Sequence, residues 1–422
     1  MAAVTRRAAP PGAPLTSQPP SAALIVVLAG VCAALHVGKL APAIPALRAA
    51  LDMSLVQAGF LLSAVQGAGM LLGVAFGVVA DGLGARRSMV LGLAVLAGAS
   101  AWGALASGVP ALMALRLLEG FGFLLVALPA PGLLRQLVPP GRVNLVLGVW
   151  SAYMPLATAL ALLLGPLVLA ALGWRAWWWA LAGVSLAMAG WLAFSLRGMP
   201  ARPAPSTHAA VAGTPSWSAR LVQTLSAPGP WLVALSFAAY SSQWLAVIGF
   251  LPAIYTQAGV PASAMGVLTA LAAAANIVGN VGSGRLLQRG VRPQWLLATG
   301  FVVMALAATA AFLQGAAPGS SALPPALRYA AVLLFSGVGG MIPSTLFTLA
   351  MRLAPSEHTL ATTVGWMQQW SSFGQFAGPP AVAWVASLAG GWHLTWLVTG
   401  ACSALGLMLA LALARLARPG QP

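Results

Sequence analysis

Acidic residues are almost absent from this chain, since only four of its 422 residues are Asp or Glu. Charged residues of all kinds make up 6% of the chain, whereas hydrophobic residues make up 60%. Soluble globular domains carry about 25% charged residues. The scarcity of charge excludes a soluble domain and indicates a polytopic membrane protein, whose first partner is the lipid bilayer.

Cysteine, lysine and histidine are also scarce, and each scarcity excludes a class of site. The two cysteines, Cys32 and Cys402, lie in separate apolar runs and predict neither a disulfide nor a metal pair. The only lysine, Lys39, has no phosphate-binding motif around it, which excludes an ATP-driven transporter. The four histidines are scattered and no HExxH occurs. We therefore expect no enzyme activity, no cofactor and no metal.

Basic residues, in contrast, are frequent enough to give a formal charge of +16. In a soluble protein this charge would suggest nucleic acid as a partner. Here nearly all arginines fall in gaps between apolar runs, where they act as orientation signals and contact lipid headgroups. No nucleic-acid partner is predicted.

Long apolar runs dominate the rest of the sequence. A helix of about 20 apolar residues crosses a hydrocarbon core of about 30 Å. A helix forms all its backbone hydrogen bonds within the segment, whereas an open strand would leave N–H and C=O groups unpaired in lipid. The sequence predicts an all-α polytopic membrane protein with twelve transmembrane helices, at 22–46, 55–80, 87–107, 110–134, 143–172, 175–197, 229–256, 262–284, 293–314, 327–351, 359–388 and 392–414.

The arginines set the predicted orientation. With a cytoplasmic N-terminus, only Arg48, Arg175 and Arg328 fall on the outer side. By the positive-inside rule, both termini are predicted to be cytoplasmic, in a bacterial inner membrane. The arginines that then fall inside are Arg6, Arg7, Arg86, Arg87, Arg135, Arg142, Arg197, Arg202, Arg220, Arg285, Arg289, Arg292, Arg352, Arg415 and Arg418.

One long polar interruption divides the chain into two similar parts. We predict a disordered cytoplasmic tail at 1–21, a six-helix bundle at 22–197, a cytoplasmic linker at 198–227, a second six-helix bundle at 228–416 and a cytoplasmic tail at 417–422. Short sequences recur between the bundles: Gly165-Pro166 reappears as Gly378-Pro379, and Gly173-Trp174 as Gly391-Trp392. Such duplication into pseudo-symmetric bundles is typical of transporters.

The stretch from Gly77 to Arg87 combines glycines, one acid and two arginines between two apolar runs. It resembles the signature of the major facilitator superfamily, G-x-x-x-D-x-x-G-x-[RK]-[RK], with Gly77, Asp81, Gly84, Arg86 and Arg87 in the matching positions. The resemblance implies a cytoplasmic gate built by these five residues. Asp81 would then contact nearby arginines or the start of helix 11 when the cytoplasmic side is closed.

Two further stretches resemble branches of that family. Gly165-Pro166 matches the core of a pattern associated with antiporters, although the trailing glycines of the pattern are missing. The run from Gly148 to Pro155, GVWSAYMP, together with the cation in helix 1, weakly resembles the cyanate and nitroimidazole permease branch.

Four ionisable residues lie at lipid depth: His36 and Lys39 in helix 1, and Arg116 and Glu119 in helix 4. Each charge at the bilayer centre costs about 2.5–3.5 kcal/mol, so these residues must be paired, hydrated or functional. At about 1.5 Å per residue, both cations lie at a similar depth in the outer half. Such a net positive cavity favours a small organic or inorganic anion.

The same residues allow other interpretations. Lys39 could snorkel to the outer interface while Arg116 pairs with Glu119, which would leave a neutral pocket. Glu119 and His36 are the candidates for carrying a proton. The resemblance implies that helices 1, 4, 7 and 10 line a central cavity, to which the second bundle would contribute Tyr240, Gln243, Trp244 and Gln368.

The sequence therefore predicts a monomeric secondary transporter that moves a small solute, preferably an anion and with or without protons, by alternating access. Proton-coupled efflux of hydrophobic drugs, favoured by Gly165-Pro166 and the aromatic residues, is the first alternative. A membrane receptor that transports nothing is the second.

Overall fold

A computed structural model describes residues 20–73, 84–139, 142–197, 216–315 and 322–416. Ten helices in these ranges are long and apolar enough to cross a membrane. One of them, Tyr153–Ser195, contains a non-helical Gly173 and comprises two spans. Leu360–Leu388 is a further helix of 29 residues, long enough to cross the hydrocarbon core. The prediction of an all-α protein with twelve membrane helices is confirmed.

We number the spans α1 to α12. The N-half contains α1 (Pro20–Gly38 and Leu40–Leu51), α2 (Leu55–Gly73), α3 (Ala85–Ala104), α4 (Val109–Ala127 and Ala130–Leu137), α5 (Val143–Ser151 and 153–172) and α6 (174–195). The C-half contains α7 (Pro228–Gln257), α8 (Ala262–Gln288), α9 (Pro293–Phe312), α10 (Pro325–Gly339 and Met341–Arg352), α11 (Leu360–Leu388) and α12 (Thr395–Leu416).

Prolines explain why several spans are broken. A proline lacks an N–H and its ring clashes with the carbonyl four residues earlier. In α1 the first segment ends at Gly38, four residues before Pro42. In α10 it ends at Gly339, four residues before Pro343. The breaks at the centres of these helices follow directly from the sequence.

The turn between α1 and α2 is closed by local chemistry. Asp52 ends α1 in the left-handed conformation, with φ of 47°. Ser54 accepts a hydrogen bond from the backbone N–H of Gln57, and the Gln57 side chain accepts one from the backbone N–H of Ser54. This capping box satisfies donors that a helix start otherwise leaves unpaired.

The two ends of the molecule differ in how the halves meet. We call the end at which α1 begins the tail face, and the end with the α1–α2 turn the opposite face. Near the opposite face the halves pack closely: the second segment of α1 lies against α7, and the start of α2 against α11. Toward the tail face, the first segment of α1 packs on α4, α5 and α6 of its own half. The space between the halves, the central cleft, therefore widens toward the tail face.

Small residues bring α2 and α11 together across the two halves. A Cβ on Gly69 would overlap Ser372 Oγ, and a Cβ on Gly73 would lie 3.1 Å from Gln369 Cβ. The glycines at four-residue spacing in α2 thus permit a close helix approach. Gly77, which continues this spacing, lies outside the described residues.

The polar linker contains one element that the sequence analysis did not predict. Residues Trp217–Ser226 form a helix that begins at Ser216, whose side chain accepts from the backbone N–H of Ala219. This helix packs on the start of α11 and on the preceding turn, where Ser356 Oγ donates to Gln223 Oε1 at 3.3 Å. Residues 1–19 and 417–422, including most of the predicted tails, lie outside the described residues.

Candidate functional site

The four ionisable residues predicted from the sequence come together in one cluster, which we call the N-half charge cluster. Glu119 is its centre: Arg116 Nη1 donates to Oε2 at 2.6 Å, and Lys39 Nζ donates to Oε1. His36 Nδ1 lies 3.5 Å from Oε1. The spacing of three residues between Arg116 and Glu119 places both side chains on the same side of α4.

The break in α1 determines where Lys39 sits. Lys39 lies between the two segments of the helix, and the indole N–H of Trp177 donates to its backbone carbonyl at 3.0 Å. Its ammonium group donates to Ser100 Oγ at 2.9 Å and lies 4.6 Å from the centre of the Trp178 ring. Side chains of three other helices, α3, α4 and α6, thus hold the only lysine of the chain.

A second ring of neutral groups completes the cluster. His36 Nε2 lies 2.7 Å from Ser185 Oγ, and Ser100 Oγ donates to the carbonyl of Trp178 at 2.9 Å. Arg116 donates to the backbone carbonyls of His36 and Leu61. The sequence analysis missed Ser100, Ser185 and both tryptophans as partners, because a small polar residue in an apolar helix gives no sign of which helix it contacts.

The cluster is closed to solvent in this conformation. His36 and Lys39 are 0% exposed, and Arg116 and Glu119 are 1% exposed. With His36 neutral, the two cations exceed the single carboxylate by one charge. Arg116 Nη2 is buried and has no hydrogen-bond partner among the described residues. The arrangement can therefore still accept one negative group.

The side of α1 that faces the central cleft is apolar. Leu24, Leu28 and Leu35 form the partly exposed stripe of its first segment, while the residues around them are buried in the N-half. His36 and Lys39 point away from this stripe, into the N-half. Access from the cleft to the charge cluster therefore requires α1 to move relative to its own half.

The C-half residues predicted from the resemblance form a separate, uncharged network. Asn276 Nδ2 donates to Tyr240 Oη and to the carbonyl of Ser336, both at 2.9 Å. The indole N–H of Trp244 donates to Ser336 Oγ at 3.1 Å. Tyr240 and Trp244 are buried, so they stabilise the packing of α7 on α8 and α10.

Gln243 is also buried and joins α7 to α12. Ser403 Oγ donates to Gln243 Oε1 at 3.0 Å, while Gln243 Nε2 donates to the carbonyl of Ala239 at 3.1 Å. Both of these bonds lie within the C-half. Tyr240, Gln243 and Trp244 thus lie within two turns of α7, and each of their hydrogen bonds given above is to a C-half residue and not to the N-half charge cluster.

Gln368 occupies a different position, on the side of α11 that borders the cleft. One face of α11 packs on α7, since Gly374 lies against Ala238, and another packs on α2. Of the two remaining sides, one carries Trp384 and Leu388, which are highly exposed. Gln368 lies on the other, partly buried side, and its Oε1 has no partner among the described residues.

A polar seam between the halves runs beside Gln368. Gln66 Nε2 of α2 donates to Gln375 Oε1 of α11 at 3.0 Å, and Ser372 Oγ donates to Gln66 Oε1 at 3.4 Å. Gln369 Nε2 donates to the carbonyl of Met70 at 2.9 Å. Sequence analysis did not assign Gln66, because the pairing of α2 with α11 is not visible in the sequence.

The predicted gate is described only in part. Gly77 and Asp81 lie outside the described residues. Gly84 precedes α3 with φ of 78°, a conformation that favours glycine. Arg86 Nη2 donates to the carbonyl of Ala193 in α6 at 2.7 Å, and Arg87 is exposed at the tail face.

Among the described residues, no group of three His, Cys, Asp or Glu side chains could hold a metal ion. The charges of the membrane interior are confined, in the ranges described, to the N-half cluster. No curated protein shows significant sequence similarity to the chain.

Two solved structures share the fold. Both are of a bacterial homolog to the human lysosomal transporter Spinster, with 16% sequence identity to this chain. The inward-facing and occupied form has a TM-score of 0.75 and the match covers 95% of this chain and 97% of that one. The inward-facing and unoccupied form has a TM-score of 0.71 over 94% and 95%.

The sequence matches a known family over most of its length. The profile of the Major Facilitator Superfamily matches residues 26–379, which include the gate stretch, the N-half charge cluster and the Asn276 network of the C-half. Twelve helices in two halves and two neighbours with the same fold agree with that match. This multi-pass integral membrane protein therefore belongs to the major facilitator superfamily.

Proposed function

We propose that this transporter moves a small organic or inorganic anion by alternating access. The packing of the halves supports the motion, since the cleft is closed near the opposite face and widens toward the tail face. Rocking of the halves about a central site is the general mechanism of such duplicated folds. The substrate class is a separate step of the proposal.

The observation that carries the anion proposal is the charge imbalance of the N-half cluster. Lys39 and Arg116 share one carboxylate, Glu119, and Arg116 Nη2 is buried without an acceptor among the described residues. A bound monoanion would neutralise the excess charge and give this donor a partner. Because the cluster is closed in this conformation, an anion would bind after α1 and α4 separate toward the cleft.

Anion flux into proteoliposomes tests this proposal. Lys39→Met and Arg116→Gln should each lower the apparent affinity for the transported anion at least tenfold, because each removes one cation from the site. Arg175→Gln is the matched control, since Arg175 is exposed and lies outside the cluster. Unchanged affinity in both cluster variants would rule out the anion site.

Efflux of hydrophobic drugs is the second candidate, favoured by the apolar stripe Leu24, Leu28 and Leu35 and by the uncharged polar network in the interior of the C-half. The same vesicles distinguish it: a lipophilic cation, and not an anion, would then be transported. Absence of any flux would favour a receptor. A proton carried by Glu119 or His36 would make transport depend on a pH gradient, which flux through the reconstituted protein can reveal.

We further propose that Gly77, Asp81, Gly84, Arg86 and Arg87 form the gate of the tail face. Asp81→Asn should abolish transport without affecting membrane insertion, because the neutral amide cannot attract a positive helix end or guanidinium. Full transport by this variant would exclude the gate role.

We propose that the protein is a monomer in a bacterial inner membrane. Its tail face is proposed to be cytoplasmic. Among the described arginines that lie outside the membrane interior, only Arg48, Arg175 and Arg328 lie toward the opposite face. The relation to the cyanate and nitroimidazole permeases stays a prediction from GVWSAYMP and from Lys39. Protease accessibility of tags at both termini in intact cells and in inverted vesicles tests the orientation.

A further inference from the structure

A cavity lies outside the central cleft, between the tail-face ends of α3 and α6. Its volume is about 370 Å³, and it is lined by Arg86, Arg87, Val90, Leu91, Ala94 and Ala193. None of these residues belongs to the N-half charge cluster. Arg86 and Arg87 are also members of the proposed gate, but neither the gate nor the proposed anion site gives the apolar lining of this cavity a role.

The lining changes from charged to apolar along α3. Arg86 and Arg87 lie in the first turn of the helix, which starts at Ala85. Val90, Leu91 and Ala94 continue the same side for two further turns, about 12 Å from Arg86 at 1.5 Å per residue. Leu91 is 47% exposed, so this wall is open to the hydrocarbon of the bilayer. A cationic end at the membrane surface thus leads into an apolar groove.

The cationic end is positioned by neighbouring contacts. Arg86 Nη2 donates to the carbonyl of Ala193, which fixes one guanidinium across the groove between α3 and α6. Arg197, two residues after the end of α6, stacks on Phe194 with 4.9 Å between the guanidinium carbon and the ring centre. Among the described residues, no carboxylate lines the cavity. The groove therefore presents positive charge at the level of the lipid headgroups.

We propose that this cavity binds an anionic phospholipid of the phosphatidylglycerol type. Its phosphate would contact Arg86 and Arg87, and the upper part of one acyl chain would lie along Val90, Leu91 and Ala94. Guanidinium groups recognise phosphate oxygens by charge-assisted hydrogen bonds. A free phosphate would leave the apolar wall uncovered, and a phosphatidylcholine would bring a positive group to a site that is already cationic.

Native mass spectrometry of the full-length protein, titrated with phosphatidylglycerol in detergent, tests the site. Each arginine removed should weaken binding of the tightest lipid about fivefold, the change that corresponds to about 1 kcal/mol per basic residue near a membrane surface. Arg87→Gln alone should therefore weaken it about fivefold, and Arg86→Gln with Arg87→Gln about 25-fold. Ala94→Phe, which fills the groove and keeps both charges, should also weaken it.

The pair Arg289→Gln and Arg292→Gln is the matched control, because it removes the same charge from exposed arginines at the corresponding turn of the C-half. If both double variants weakened lipid binding equally, the loss would come from the lower overall charge and not from this cavity, and the proposal would be overturned. Equal binding of phosphatidylcholine would overturn it as well. So would glycerol phosphate, if it competed as strongly as the lipid, since the apolar groove would then contribute nothing.

Discussion

The interiors of the two halves both contain buried polar groups, but these groups are charged in the N-half and neutral in the C-half. In the N-half, polar groups at the centre of the membrane are charged, and two cations share Glu119. In the C-half, the corresponding region holds a neutral network around Asn276. A neutral network is costly only if a hydrogen bond is missing, whereas a buried charge cluster also requires charge balance. Since the C-half forms a six-helix bundle with a neutral network, buried charges are not needed for the fold. The difference therefore indicates that the charges of the N-half serve the function.

Removal of the single carboxylate should have the largest effect. Glu119→Gln leaves Lys39 and Arg116 buried with no acid between them, and breaking a buried ion pair in this way costs about 3–5 kcal/mol. We expect the free energy of unfolding in detergent micelles to fall by that amount. The control is Glu357→Gln, an exposed acid in a turn, which should change it by less than about 0.5 kcal/mol. If Glu119→Gln were as stable as Glu357→Gln, charge balance in the cluster would not contribute to the stability of the N-half.

Removal of one cation should then recover part of that loss. Lys39→Met in the Glu119→Gln background takes away one of the two unbalanced charges and keeps a side chain of similar length. The double variant should be more stable than Glu119→Gln alone. Its loss should be smaller than the sum of the losses in Lys39→Met and Glu119→Gln by about 0.5–3 kcal/mol, a coupling typical of residues in contact. The same denaturation measurement gives the answer. Additive losses would show that the two side chains act independently.

The sequence predicted the elements of this comparison better than their arrangement. Apolar run length was sufficient for the twelve helices, and proline positions explain the breaks in α1 and α10. The meeting of Arg116 with Glu119 followed from helical spacing, because residues three apart share a helix face. These predictions succeeded because they depend on local geometry.

The partners from other helices could not be predicted. Nothing local in the sequence tells that Lys39 turns toward Ser100 and Trp178 of α3 and α6 and away from the cleft. Likewise, Gln66 in α2 has the same local surroundings whether it contacts α4 or α11. All sides of these helices are similarly apolar, so the hydrophobic pattern does not show which side faces the cleft. Packing against the other helices decides it.

Substitutions in the neutral network should lower the free energy of unfolding less than Glu119→Gln does in the charged cluster. Asn276→Ala removes both bonds donated by Asn276 and leaves the Asn280 amide without its side-chain acceptor. An unsatisfied buried polar group costs about 1–3 kcal/mol. Tyr240→Phe, which removes one hydroxyl from the same network, should cost about 0.5–1.5 kcal/mol. Chemical denaturation in the same micelles measures both losses. A loss with Asn276→Ala as large as that with Glu119→Gln would contradict the contrast between the halves.

The smallest effect is expected at the seam between the halves, where Gln66→Leu removes the bonds to Gln375 and Ser372. These bonds join the halves in the conformation with a cleft open to the tail face, so their loss should shift the population toward other conformations. A hydrogen bond contributes about 0.5–1.5 kcal/mol, which corresponds to about a twofold to tenfold shift.

Maleimide labelling of a cysteine at Leu28, on the cleft side of α1, measures this population. Labelling from the tail face should slow in the Gln66→Leu background, by at most that factor, because the open fraction falls less than the equilibrium constant while the open conformation predominates. Gln243→Leu is the matched control: it removes an equally buried glutamine whose bonds to Ser403 and to Ala239 lie within the C-half. It should lower stability and leave the labelling rate unchanged, because neither of these bonds joins the halves. Equal slowing in both variants would show that the seam does not hold this conformation.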